Sequence, residues 1–192
     1  VYSGGDDVVA LLPTHTALEC AAKLAGAFHT KVGGTLSVGV AIVHHMDPLR
    51  ISLDRAREAE REAKKARNSL AVALHTRGGE PRIVAEEWAS DYNLQTWTDW
   101  TVAFRDKEGL SHGFPYELRY LAREAKGVLG PETLTAESKR ILARKKGGEG
   151  NQPYLASLTN AIESCNDTDR LESLVAKLII CRFLAQYPEV TL

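Results

Sequence analysis

The stretch Val1-Tyr2-Ser3-Gly4-Gly5-Asp6-Asp7-Val8-Val9-Ala10-Leu11-Leu12 decides the reading of this chain. Two short apolar runs flank a Gly-Gly-Asp-Asp core, a pattern that predicts a tight β-hairpin with two carboxylates at its tip. Glycine tolerates positive φ and lets a ligand approach the backbone closely. Adjacent acids at a tip repel one another unless they face water or a cation. A divalent metal carrying a nucleoside triphosphate suits them chemically. An acidic turn facing water has the same residues, so the four residues alone leave both readings open and the flanking sequence must decide.

Working outward, Pro13-Thr14 opens a helix whose apolar positions Ala17, Leu18, Ala21, Ala22, Leu24, Ala25 and Phe28 recur at helical spacing up to His29. Gly33-Gly34 breaks it, and the apolar run 36–44 (LSVGVAIVH) predicts a strand buried on both faces. A second helix is expected over 48–67, with Leu49, Leu53, Ala56, Ala59 (or Glu60) and Ala63 as its stripe, then a strand over 69–75 and a short edge strand over 82–85. Beyond residue 86 the periodicity is helical, with helices expected near 94–107, 113–126, 132–146, 154–165 and 168–186. A Gly-rich linker is expected over 147–153. The expected fold class is α+β: an incomplete ferredoxin-like palm over 1–85, followed by an all-α helical bundle over 86–192.

Composition limits the alternatives. The chain has 192 residues, is 44% hydrophobic and 26% charged, and carries a net charge of −1, so no global field draws it to nucleic acid or membrane. Any contact with nucleic acid must be a local patch. Cys20, Cys165 and Cys181 form no CxxC pair and read as reduced core thiols. No apolar run reaches membrane-spanning length. The chain opens inside a predicted strand without a Met, and it is expected to be a piece of a longer protein.

Three further groups have ordinary explanations. His44-His45 ends a strand without partners at ligand spacing. Lys139, Arg140, Arg144, Lys145 and Lys146 lie toward a helix C-terminus, where cations complement the dipole; a contact with an RNA backbone is the alternative. Trp88, Trp97 and Trp100 are expected to pack the joint between the two halves, with base stacking as the alternative.

The hairpin YSGGDDVVALLP, the strand LSVGVAIVHH and the junction EAEREAKKARNSLAVAL occur in that order. Together they resemble the palm shared by GGDEF-type nucleotide cyclases and the large subunit of type III CRISPR effector complexes. The GGDD form and the later segment WTDWTVAFRDKEGLSHGFPYELRYLAREA are more similar to the CRISPR subunit, and within it to the Cmr-type. The resemblance implies a C-terminal part of that subunit, in which a GGDD palm precedes a helical domain.

That resemblance also implies a chemistry and a set of residues. Asp6 and Asp7 would be the catalytic acids and the ligands of Mg²⁺ or Mn²⁺. Ser3, Gly4 and Gly5 would border the nucleotide, and Lys64, Lys65 and Arg67 would contact its phosphates. The substrate would be ATP and the product a cyclic oligoadenylate. The palm's first strand, central in its sheet and bearing a further metal-binding acid, is not in this sequence, and a second palm completes the nucleotide site. This chain by itself is therefore expected to be inactive or nearly so. Implied partners are the other subunits of the effector complex, guide RNA and target RNA, and the upstream palm and N-terminal part of the same protein. No membrane partner is implied, and the location is cytoplasmic. Two alternatives remain: a non-catalytic scaffold binding RNA and small subunits, and a diguanylate cyclase-like enzyme using GTP.

Overall fold

The computed structural model describes residues 1–4, 7–148 and 152–187. The fold is α+β: a β-hairpin, a mixed three-stranded sheet and, among the described residues, seven helices. Strands β1 (Tyr2–Gly4) and β2 (Asp7–Val9) pair antiparallel, with Tyr2 opposite Val9, Ser3 opposite Val8 and Gly4 opposite Asp7. They form a two-stranded sheet of their own.

Helix α1 (Thr14–Val32) follows and runs three residues beyond the expected His29. Its stop is Gly33 at φ 71°, a left-handed cap whose N–H donates to the His29 carbonyl at 2.9 Å. Strand β3 (Val38–Ile42) is shorter than the apolar run suggested. Strand β4 (Ser69–Leu74) lies beside it in parallel and is buried along its whole length. Strand β5 (Arg82–Glu87) closes the other side antiparallel, so the order is β3-β4-β5. Among the described residues β3 pairs only with β4, and Val38 and Val40 are half-buried. The expectation of a strand buried on both faces is corrected: an apolar run marks burial only where both flanks are covered.

Helix α2 (Leu49–Ala66) covers the sheet through very small contacts. Ala59 and Ala63 are fully buried. A Cβ on Gly39 would collide with the backbone of Ala59 and Glu60, so β3 and α2 meet main chain to main chain at that glycine. The fully buried Ser69 donates its hydroxyl to the Ala63 carbonyl and ties the end of α2 to the start of β4. Leu49, placed by periodicity in the apolar stripe, is exposed.

The remaining helices are α3 (Gln95–Arg105), α4 (Phe114–Glu124), α5 (Pro131–Lys145), α6 (Pro153–Glu163) and α7 (Thr168–Leu184). Pro131 and Pro153 open α5 and α6, and Pro115 stands in the first turn of α4, where a missing N–H costs nothing. The expected linker 147–153 falls partly on residues 149–151, outside the described ones. Its start is pinned, because Gly147 N–H donates to the Gly109 carbonyl at 2.7 Å.

One apolar cluster runs from Ala21 and Ala25 of α1 through Leu70 and Val72 of β4 to Leu178 and Ile180 of α7. The three tryptophans sit within it, each with its indole N–H satisfied. Trp88 donates to the Leu36 carbonyl at 2.9 Å, Trp97 to Glu86, and Trp100 to the Ser157 hydroxyl at 3.0 Å. Glu86 of β5 also pairs with Lys177 of α7 at 2.7 Å, and Thr96 accepts a bond from the same ammonium at 2.9 Å. The Lys177 nitrogen lies over the rings of Trp97 and Trp100, 4.7 and 5.1 Å from their centroids. The sheet and the helices beyond it are thus held by a charge-centred clamp as well as by apolar packing.

Candidate nucleotide and metal site

Gly4 and Asp7 are cross-strand partners that close the described part of the hairpin. Gly5 and Asp6 themselves lie outside the described residues, and only the backbone placement of Ser3 and Asp7 is described. Tyr2 shares a face with Gly4, and its phenol oxygen lies within 2.5 Å of the position a Gly4 Cβ would take. The hairpin is little covered: Val1, Tyr2, Val8, Leu11 and Leu12 are all exposed.

The basic residues stand on another element. Lys64 and Lys65 occupy the last turn of α2, and Arg67 is its C-cap. Lys64 pairs with Glu60 at 2.6 Å and Lys65 with Glu62 at 2.7 Å. Arg67 has φ 56° and ψ 158°, and Asn68 follows at φ 40°. Two successive non-glycine residues at positive φ store backbone strain, of order 1–3 kcal/mol for a residue in Arg67's region. Such strain clusters at sites where function fixes a turn. Sequence reading selected Arg67 from its place after two lysines; the strained backbone there has no sequence signal.

Between the chain after β2, helix α1 and the open side of β3 lies a cleft of about 240 Å³, lined by Val8, Leu12, Ala17, Leu24, Val38 and Val40 among others. It is apolar and adjoins the unpaired side of β3. Gly39 escaped the sequence reading, although it sets how closely α2, and with it Lys64, approaches the sheet.

The donor chemistry of Asp6 and Asp7 fits a hard divalent cation, which takes oxygen ligands. Among the described residues no group of three His, Cys, Asp or Glu side chains could hold a metal. The rings of His44 and His45 lie 4.4 Å apart, and His44 Nδ1 accepts the Met46 N–H at 3.1 Å, which makes them a strand-end pair. Cys165 and Cys181 are buried, and burial pushes their thiols up to about 11 and about 12. Cys20, expected in the core, is exposed on α1. Four of the five basic residues near the end of α5 are ion-paired: Lys139 with Glu163, Arg140 with Glu137, and Arg144 and Lys145 with Glu117.

Residues 1–71 match the family described as Cas10/Cmr2, second palm domain. The match spans the hairpin, α1, β3, α2 and the start of β4. The chain is also similar to the CRISPR system Cmr subunit Cmr2 of Pyrococcus furiosus, with 36% identity over 98 residues. That alignment covers 46% of this chain and 11% of the relative's length. Both matches support a palm of the kind found in type III CRISPR large subunits, and the expected Cmr-type agrees with the relative's name. No helix among the described residues is long and apolar enough to cross a membrane.

Proposed function

We propose that this palm, within the larger protein it serves, carries out metal-dependent adenylyl transfer on ATP to give cyclic oligoadenylate. The observation that carries the reading is the hairpin register, in which Gly4 pairs with Asp7 at the first position of β2. Asp6 and Asp7 hold Mg²⁺ or Mn²⁺, which lowers the charge barrier at the α-phosphate and the pKa of the attacking hydroxyl. Gly4 and Gly5 leave room for the nucleotide, and Ser3 reaches its ribose or base. Lys64, Lys65 and Arg67 neutralise its phosphates. A 3′-hydroxyl bonds to the α-phosphorus of a neighbouring ATP, the bond to pyrophosphate breaks, and a final attack within the chain closes the ring.

Two Mg²⁺ ions need more carboxylates than one hairpin offers. The apolar cleft beside the open side of β3 suits a further strand bearing such an acid. The upstream palm supplies the other wall of the nucleotide site. The remaining partners are the other subunits of the effector complex and its guide and target RNA, in the cytoplasm.

A second reading makes the palm a scaffold. It draws on Lys64–Glu60 and Lys65–Glu62, which engage both ammonium groups within α2. A test that separates the readings incubates the complete effector complex with target RNA, Mn²⁺ and either ATP or GTP. Cyclic oligoadenylate from ATP is expected. No product from either nucleotide supports the scaffold, and a cyclic dinucleotide from GTP supports a diguanylate cyclase.

A further inference from the structure

Helix α4 presents a second feature, on the side away from the core. Phe114, Leu118 and Ala122 are fully buried. Tyr116, Arg119, Tyr120 and Arg123 recur at i, i+3, i+4 and i+7 and so form the opposite stripe. Tyr116 is 45% exposed and Tyr120 69% exposed. Arg123 is exposed, and among the described residues it has no carboxylate at ion-pair distance.

Two neighbours extend the stripe. Arg82 of β5 stands beside Arg119, and the pair share one carboxylate, that of Glu80, at 3.7 and 4.0 Å. Glu80 is itself largely in solvent, so these contacts are weak. Burial holds the Arg119 guanidinium below its ordinary value, and the charges of Arg82 and Arg123 push in the same direction; Glu80 and Glu172 oppose them. From α7, Arg182 donates to the Tyr116 hydroxyl at 3.1 Å, with its guanidinium 5.3 Å from that ring's centroid. The Nε of Arg182 is buried with no hydrogen-bond partner. Four arginines from three elements therefore converge on two exposed tyrosines; Glu80 and Glu172 act on Arg119, and Glu117 and Glu124 flank Tyr120 along α4.

We infer that this α4 stripe is a docking strip for single-stranded RNA, with the arginines on its phosphates and the tyrosines against its bases. The alternation of cation and aromatic ring matches the alternation of phosphate and base along a strand. Tyr116 and Tyr120 are one helical turn, about 6 Å, apart along the axis, comparable to a step of an extended strand. Like-charge crowding at Arg119 is relieved by a polyanion. The choice of RNA rests on the RNA-guided reading above; the strip itself rests on the α4 geometry.

The test uses the 192-residue chain and a fluorescent 12-nucleotide oligouridylate, followed by anisotropy across a salt series. Binding that weakens with salt is expected. Arg119→Ala/Arg123→Ala should lower the salt slope by about 1.4, at about 0.7 per lost phosphate contact. Tyr120→Ala should weaken binding about tenfold with the slope unchanged. If Arg119→Ala disturbs folding, Arg123→Gln with Tyr120→Ala alters only exposed side chains and should lower the slope by about 0.7 and weaken binding about tenfold. Lys139→Ala, on the ion-paired surface of α5, should leave binding as it was. Unchanged affinity in the α4 variants overturns the proposal. So does tighter binding of the matching oligodeoxynucleotide, or equal binding of poly-glutamate with Tyr120→Ala silent, which would assign the strip to an acidic protein. No nucleotide turnover enters this assay, so failure here leaves the adenylyl-transfer reading standing, and failure of that reading leaves this one.

Discussion

The hairpin with the segment after it and strand β4 both carry short apolar runs, yet they stand at opposite ends of the burial scale. Every residue of β4 is buried, between β3 and β5 and beneath α2. In the hairpin Val8 is 54% exposed, and just after it Leu11 is 71% exposed. The difference teaches where this chain keeps its stability and where it keeps its chemistry. The core cluster joins the sheet to the clamp around Lys177, and no described hairpin residue belongs to it. The hairpin has a turn, two acids and little of its own to pack against.

The contrast is broken most directly by core deletions. Leu178→Ala removes a fully buried side chain and should cost about 3 kcal/mol, read as a fall in the denaturation midpoint. Leu11→Ala in the exposed segment after β2 should change stability by less than about 0.5 kcal/mol. Comparable losses at the two positions would show that the hairpin belongs to the core.

The clamp is next. Lys177→Ala leaves Glu86 and two indole faces without their cation and should cost about 3 kcal/mol. Lys177→Met with Glu86→Gln should recover much of that, because the pair's desolvation disappears with its attraction. A double variant no better than the single one would locate the loss in packing alone.

A smaller effect concerns pH. His75 is buried, its Nε2 has no partner, and burial lowers its pKa. The folded state therefore resists protonation more than the unfolded chain does. Stability should be full above the ordinary histidine range and fall as the pH drops through it. His75→Gln should flatten that fall in a denaturation series from pH 8 to pH 5.5; an unchanged slope would assign it to other groups.

The smallest perturbation is chemical. Iodoacetamide at pH 8 should modify the exposed Cys20 first, while Cys165 and Cys181 react only on unfolding, as mass spectrometry of the intact chain would read. Early modification of Cys181 would show that α7 opens readily.

Much of this architecture is legible in the residues. The stops at Gly33 and the prolines near the starts of α4, α5 and α6 are local signals, and helix boundaries fall within three residues of the expected ones. What was misread depends on neighbours. Residues 36–44 look like a doubly covered strand, but only tertiary structure tells that β3 has a single described partner. The sequence ends this strand at residue 85, where the helical pattern is expected to take over; β5 continues to Glu87 since Glu86 has Lys177 and Trp97 to satisfy it. Cys20 sits among helical alanines and leucines, yet α1 turns it outward. For the site, the Gly-Gly-Asp-Asp motif was visible at once, while the Gly39 contact and the strain at Arg67 are properties of folded backbone.

The central claim is that the acids of the hairpin serve chemistry and contribute nothing to the fold. Asp6→Ala/Asp7→Ala, placed in the complete large subunit within its effector complex, tests it in one preparation. The predicted result is an unchanged melting temperature and unchanged target-RNA binding, with cyclic oligoadenylate formation from ATP reduced to background. Product at the wild-type level with the same melting temperature would contradict the account.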